Sequence, residues 1–372
     1  MDKAYTNELI NIPSIQNDCN FWMIRTNDGL FYDEFINEGF IAIGWNCVRK
    51  HTFPIDKKQR ELLEKNIKEK YNTNIPGMAI NKCEKFCNIL KDGDIAVISG
   101  KSSIAFAIIG EFYEENPETL TEEYELKFNE EIKQKKFLET IKCPYCKRRK
   151  ITLISVLNNR EEINPYLYKA LLLNKHSLSS LDQYADTILS SCYDIYFWKG
   201  TLSLAFRVQK KTNVGALSLT EFINSFATLL QVEDENLSVK TALHSPGDII
   251  LQIQNAIPDL NQMMWVFISV IFLFGGKVGN IELPSLFNVA KYFIDKHANK
   301  ELNDLNKEKL RLENKKLEQE IESLKLDNNK KARMESAAES LYKAVNTLEL
   351  KPINNKIIKL ENIQIESKDS DS

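Results

Sequence analysis

The sequence predicts an α+β protein with two globular domains and a C-terminal coiled-coil helix. Three observations predict it: short aromatic and β-branched runs bounded by turn residues, apolar residues at helical spacing between them, and a leucine repeat of seven near the end. With 372 residues, 43% of them hydrophobic, the chain has material for two cores and an extension. The expected division is an extension over 1–19, a first domain over 20–195, a second α+β domain over 196–296, a coiled-coil helix over 297–350 and a polar tail over 351–372.

The first strand is Phe21-Trp22-Met23-Ile24-Arg25, and Thr26-Asn27-Asp28-Gly29 supplies the backbone freedom for a reversal after it. Gly39-Phe40-Ile41-Ala42-Ile43-Gly44-Trp45 is the second strand. An amphipathic helix follows from Asp56 to Tyr71, then another from Gly77 to Leu90 with Ala79, Ile80, Cys83, Phe86, Cys87 and Leu90 on one face. Lys91-Asp92-Gly93-Asp94 turns into strand Ile95–Ser99, which pairs across Gly100-Lys101-Ser102-Ser103 with Ile104–Tyr113. Residues 114–131 are acidic and 133–150 basic, a polarity flip that reads as a solvated connection. Ile151–Leu157 is a strand, and a helical stretch runs through Leu178, Leu181, Tyr184, Ile188 and Leu189. In the second domain, Thr201–Val208 is a strand, Ser218–Leu230 a helix, and Val239–Leu243 with Ile249–Ile253 a further strand pair.

Near the end, Leu310, Leu317 and Leu324 occupy heptad d positions, with Asn314, Ile321 and Asn328 at a. Leucine at d with asparagine at a favours a parallel dimer, because each buried amide seeks a matching amide across the seam. Met334, Ala338, Leu341, Val345 and Leu348 resume the repeat after a phase shift, which implies a stammer or a separate helix folding back. A homodimer is the leading reading, beside a helix packed on its own domain or a solvated single helix.

The formal net charge is −3 and the isoelectric point near 6.0, which excludes a globally basic nucleic-acid protein and leaves the basic half of the charge flip as the local phosphate attractor. Seven cysteines and a start without a basic segment leading into an apolar run predict a cytoplasmic protein. The apolar run Met263–Phe274 is short against the roughly 20 residues of a membrane span and reads as a buried helix, with membrane insertion the alternative.

Taken together, Phe21-Trp22, Gly39–Trp45, the helix ending in Lys91-Asp92-Gly93-Asp94-Ile95-Ala96-Val97, and Gly110-Glu111-Phe112-Tyr113 resemble the EVE-like branch of the PUA-like superfamily. In particular they resemble the N-terminal reader domains of modification-dependent restriction and antiphage proteins, over roughly residues 20–195. The resemblance implies a small β-barrel with an aromatic pocket for an extruded, often modified, nucleobase. Stacking and base-edge hydrogen bonds there offset the cost of extrusion. Trp22 and Trp45 match the strand tryptophans of that pattern, Tyr32 and Phe106 are nearby aromatic candidates, and Lys101, Arg148 and Arg149 are candidates to meet phosphates. Burial in a small barrel core is the competing reading for both tryptophans.

Cys143-Pro144-Tyr145-Cys146 has zinc-knuckle spacing, and tetrahedral zinc needs two further ligands. Cys83 and Cys87 are candidates for these, although their place on an apolar helix face equally fits burial. Glu125-Leu126-Lys127 is the smallest fragment of a metal-nuclease pattern, set in a charged connector without a strand aspartate before it. No Walker loop, His-Glu-x-x-His or Gly-x-Ser-x-Gly occurs, and His51, His176, His244 and His297 are dispersed. The expectation is a non-catalytic DNA or RNA sensor in antiphage defence, without a required cofactor, dimerising through its terminal helix and acting through a partner effector subunit. A membrane-acting effector and a protein-assembly adaptor are the alternatives.

Overall fold

The computed structural model describes residues 12–133, 142–158, 163–174, 176–208, 214–230, 232, 234–242, 247–254, 277–278, 281–282 and 315–352. The chain forms two compact units, one of Gln16–Cys192 and one in which Met1–Ile15 joins Tyr193–Ser372. Strand β1 (Ser14–Ile15) belongs to the latter.

In the Gln16–Cys192 unit, β2 (Phe21–Arg25) leads through α1 (Tyr32–Glu38) to β3 (Phe40–Ile43). Gly39 closes α1 in the left-handed conformation, φ 71°, where a side chain would cost energy. Helix α2 (Lys57–Tyr71) starts at a capping box: the Asp56 carboxylate accepts from the Gln59 N–H at 2.8 Å, and the Gln59 side chain reaches back. Helix α3 (Pro76–Glu84) has proline at its first position and runs into a π-helical turn at Lys85–Ile89. Then come β4 (Ile95–Ser99), β5 (Ile104–Glu114), α4 (Glu122–Lys133), β6 (Lys147–Leu157), α5 (Pro165–Leu173), β7 (Leu178–Ser180) and α6 (Ala185–Cys192).

The six strands order as β3-β6-β5-β4-β2-β7, with β2 and β4 parallel and their other neighbours antiparallel. Register breaks at Phe106/Ala107 and at Ile109/Phe112 bend β5 against β6. The sheet is a half-barrel whose edge strands β3 and β7 do not pair among the described residues. Its core gathers Trp22, Phe31, Phe35, Phe40, Phe86 and Phe128.

Three sequence expectations give way here. The acidic stretch is partly the helix α4, which buries Glu125 and Phe128. The basic stretch is partly strand β6, which begins at Lys147 rather than Ile151 and buries Lys147, Arg148 and Arg149, leaving Lys150 exposed. Similarly, Leu178 lies in β7, and the helix expected there begins only at Ala185.

The other unit holds β8 (Ile195–Trp198), β9 (Thr201–Val208), α7 (Ala216–Leu230), β10 (Leu237–Ala242) and β11 (Gly247–Gln254). A short pair, β12 (Lys277–Val278) and β13 (Ile281–Glu282), precedes the 34-residue helix α8 (Lys315–Leu348) and strand β14 (Leu350–Pro352). The sheet orders as β1-β8-β9-β11-β10, with β14 pairing to the C-terminal half of β9. Phe222 and Phe226 of α7, with Leu341, Ala344, Val345 and Leu348 of α8, cover Leu204, Phe206 and Leu251 of the sheet.

Helix α8 is continuous through the expected phase shift, so no separate helix folds back. Its last turns pack on their own unit, which corrects their expected place in the dimer repeat. Leu310, Asn314 and the run Met263–Phe274 lie outside the described residues, and of Leu317, Ile321 and Leu324 only the helical backbone is described. Among the described residues no helix is long and apolar enough to cross a membrane.

The buried Asp94 carboxylate ties the start of β2 to the turn before β4. It accepts from the Trp22 indole N–H at 2.8 Å, the Asn20 backbone N–H at 2.9 Å and the Lys91 backbone N–H at 3.0 Å. Replacing Trp22 by Phe removes one donor and keeps most of the apolar volume. A loss of about 1–3 kcal/mol is expected in urea unfolding, and an unchanged midpoint contradicts the tie.

Candidate functional site: a polar cleft at the ends of two parallel strands

Parallel strands β2 and β4 run in register from Phe21↔Ile95 to Arg25↔Ser99, so both deliver their following loops to the same end of the sheet. In open α/β sheets that carboxyl end is where ligands settle. The β2 loop passes through Asn27, Asp28 and Gly29 at φ 52°, 54° and 88°, and the β4 loop is the Gly100–Ser103 turn. Thr26 Oγ1 donates to the Ser99 carbonyl at 2.6 Å. A side chain at Gly29 would meet Lys101 Cγ at 2.6 Å and its backbone nitrogen at 2.9 Å, so glycine allows both the conformation and the approach.

These loops and α5 enclose a cleft of about 210 Å³. Its lining mixes polar residues, Thr26, Asp28, Ser99, Lys101, Ser102 and Ser103 among them, with the apolar Ile104, Ile163, Tyr168, Leu171 and Leu172. Arg25 lies in the lining and fixes the wall: Nε donates to the Asn174 carbonyl at 3.0 Å, and Nη2 to Asn174 and Leu171 carbonyls at 2.7 and 3.1 Å. A cation at the end of a helix suits its dipole and satisfies its terminal carbonyls. Nη1 lies 3.8 Å from the exposed Asp28 carboxylate.

Of the residues the sequence singles out, Lys101 alone lines this cleft. Tyr32 supports it from behind, since its ring packs where a Gly100 side chain would stand, at 2.9 Å. Burial, with Asp33 adding to it, pushes the Tyr32 hydroxyl up to about 12. Trp22 and Phe106 are core residues, at 5% and 0% exposure, and do not line this cleft. Their apolar neighbours explain the burial, and Asp94 takes the indole proton.

Arg148 and Arg149 are also turned inward. Arg148 stacks 4.1 Å over the Phe40 ring and donates to the carbonyls of Tyr145 and Cys143. Arg149 donates to the carbonyls of Phe86, Cys87, Leu90 and Gly110 and to Asp92, holding the end of the π turn. Both guanidiniums replace missing backbone partners rather than meeting phosphate.

Trp45 is half-buried at the opposite end of β3 from α1, and it adopts φ 60°, unusual for so bulky a residue. Its peptide is held on both sides. Glu125 Oε1 accepts its N–H at 2.7 Å, Oε2 accepts the N–H of Asn46 and the Tyr71 hydroxyl at 2.6 Å each, and Lys147 Nζ donates to its carbonyl at 2.8 Å. Lys82 lies 5.7 Å from the Trp45 ring. Burial, then the Glu125 charge, raises the Tyr71 hydroxyl far above its ordinary value. The sequence reading missed Glu125 as a clamp and took it for connector; Phe128, three residues on, was the signal of a buried helix face.

Cys143 and Cys146 are buried, at 2% and 0% exposure, and their thiols are raised chiefly by that burial. Among the described residues no group of three or more His, Cys, Asp or Glu is arranged to hold a metal. The Cys143 carbonyl and the Cys146 N–H instead bind Arg148 and Asn46. No family model matches the chain, nor does any curated protein or solved structure.

Two outcomes follow from this arrangement. Glu125→Ala strands two backbone N–H groups and a hydroxyl, and should cost about 3 kcal/mol or more in chemical denaturation; a loss under about 1 kcal/mol contradicts the clamp. Burial raises the Cys19, Cys47 and Cys83 thiols to about 12 and Cys87 to about 11, from an ordinary value of 9.0. Between pH 9 and 12 the folded chain therefore keeps protons that the unfolded chain releases, and stability must fall as pH rises through that window. Urea midpoints at pH 8 and pH 10 measure it, and a flat or rising profile is the contrary result.

Proposed function

We propose that the chain is a non-catalytic nucleic-acid sensor, taking one nucleotide of a DNA or RNA strand, modified bases included, in the cleft between Thr26–Gly29 and Ser99–Ser103. The observation that carries this reading is the cleft's mixed lining, which divides between hydroxyls with Lys101 and Asp28 and apolar surface with Tyr168. A nucleotide has the same division, with a flat apolar-faced base and an anionic phosphate. Base stacking on apolar and aromatic surface contributes about 1–3 kcal/mol per base, and small hydroxyl-rich loops with a lysine suit phosphate. The recognition site is thus moved from Trp22, Arg148 and Arg149 to the loops beside Lys101.

The EVE-like resemblance of residues 20–195 supports a role in antiphage defence and an action passed on to a partner effector. The heptad positions Leu317, Ile321 and Leu324 support a homodimer: they lie in the stretch of about 33 Å, at 1.5 Å per residue, that α8 runs before Ala337, the first buried residue among those whose side chains are described.

Fluorescence anisotropy with single- and double-stranded oligonucleotides, modified and unmodified, tests the binding. Lys101→Ala should weaken it about tenfold, the loss of roughly one charge-assisted hydrogen bond. Absence of binding to every probe, or full binding by Lys101→Ala, rejects the reading. Light scattering tests the dimer separately: the full chain should show twice the chain mass, and Leu317→Lys with Leu324→Lys should halve it.

A further inference from the structure

The Gln16–Cys192 unit is an insertion: the chain leaves the other unit's sheet at the end of β1 and returns to it at β8, the strand beside β1. These two strands pair in parallel, Ser14↔Phe197 and Ile15↔Trp198, and the Phe197 N–H donates to the Pro13 carbonyl at 2.9 Å. Two register pairs hold β1, against eight between β9 and β11. Among the described strands of that sheet, β1 is therefore the most easily detached.

Both connections are short and anchored. Five residues, Gln16–Asn20, lead from β1 to β2, and two, Tyr193 and Asp194, lead from α6 to β8. The first connection turns where the Cys19 N–H donates to the Gln16 carbonyl at 3.1 Å, and it is fixed at Asn20, whose backbone and side-chain N–H groups donate to Asp94 Oδ1 at 2.9 and 3.2 Å. The second leaves α6 through Ser190, Ser191 and Cys192, all buried. Just inside these connections the ends of the unit are tied to one another: the Leu181 N–H donates to the Phe21 carbonyl at 2.7 Å, and the Phe21 N–H to Asp182 Oδ1 at 2.8 Å. Connectors this short have little slack, since a residue spans at most about 3.3–3.6 Å. Loosening this closed base pulls on β1 and β8, and β1 yields first.

We infer that the β1–β8 pair answers to the state of the Gln16–Cys192 unit: a closed base holds β1 on β8, and an open base lets β1 detach and bares the β8 edge. The path begins beside the cleft, because α5, which lines it, leads through Asn174 and the three-residue β7 to Leu181. A ligand that braces α5 thereby tightens a strand of the other unit. That last step rests on the proposal that the cleft binds nucleic acid, and it supplies what a non-catalytic sensor needs, a structural change outside its own binding unit.

Hydrogen exchange on the full chain tests the joint without any ligand. Asp182→Ala removes an exposed side chain and one hydrogen bond of the base, and should speed exchange of the Phe197 amide about tenfold while β9 and β11 stay unchanged. Because coupling is reciprocal, Ile15→Pro, which takes a backbone donor from β1, should speed exchange of the Phe21 and Leu181 amides. An unchanged Phe197 in the first variant, unchanged Phe21 and Leu181 in the second, or a uniform rise across both units overturns the inference. A further arm adds the oligonucleotides of the anisotropy assay. A strand that binds should slow exchange at Phe197; one that binds and leaves Phe197 unchanged overturns the relay while nucleic-acid binding stands. If no strand binds and both variants behave as expected, the joint stands and the nucleic-acid reading falls.

Discussion

The parallel pairing of β2 with β4 is the constraint on which the Gln16–Cys192 unit turns, and Asp94 secures it. A parallel pair is necessarily non-local: Ile95 lies 74 positions after its partner Phe21. Its chain-closure cost must be recovered by contacts made only when the strands meet. One buried carboxylate gathers donors from Asn20, Trp22 and Lys91, fixing the start of both strands at once. Since the register then runs straight to Arg25↔Ser99, the position of the two cleft loops follows from an interaction at the far end of the strands.

Charge inside this unit is used to stitch irregular backbone. At three departures from regular structure in the half-barrel, buried ionic side chains supply the missing hydrogen bonds: Arg149 at the π turn, Arg148 at the Cys143–Tyr145 loop, Glu125 and Lys147 at the left-handed Trp45. Each such group is costly to bury and is retained with its partners in place, which makes these joints intolerant of single deletions. The same economy explains why a chain with a conspicuous basic run presents so little of it to solvent.

Much of the fold was legible in the sequence because local rules and tertiary packing agreed. The strands at Phe21, Ile95 and Ile104, the helices at Lys57 and Ala216, and the strand at Thr201 follow from turn residues and periodicity. What was not legible was the inside of the charge flip. Glu125 and Lys147–Arg149 look solvated by composition, and only the carbonyls and amides they meet, distant in sequence, turn them inward. Trp22 misled for the opposite reason: a tryptophan at a strand start fits a pocket or a core, and Asp94, 72 residues away, decides between them. Lys101 was legible as a phosphate candidate, whereas Arg25, Thr26 and Tyr168 join it only through the parallel pairing and α5.

The central claim is where a nucleotide binds, and amide chemical-shift mapping during titration with a nucleoside monophosphate tests it most directly. The account predicts the largest shifts at Thr26–Gly29 and Gly100–Ser103, with smaller ones along Tyr168–Leu172. Shifts centred instead on Trp45, Asn46 and Lys82, with the cleft loops silent, would contradict it.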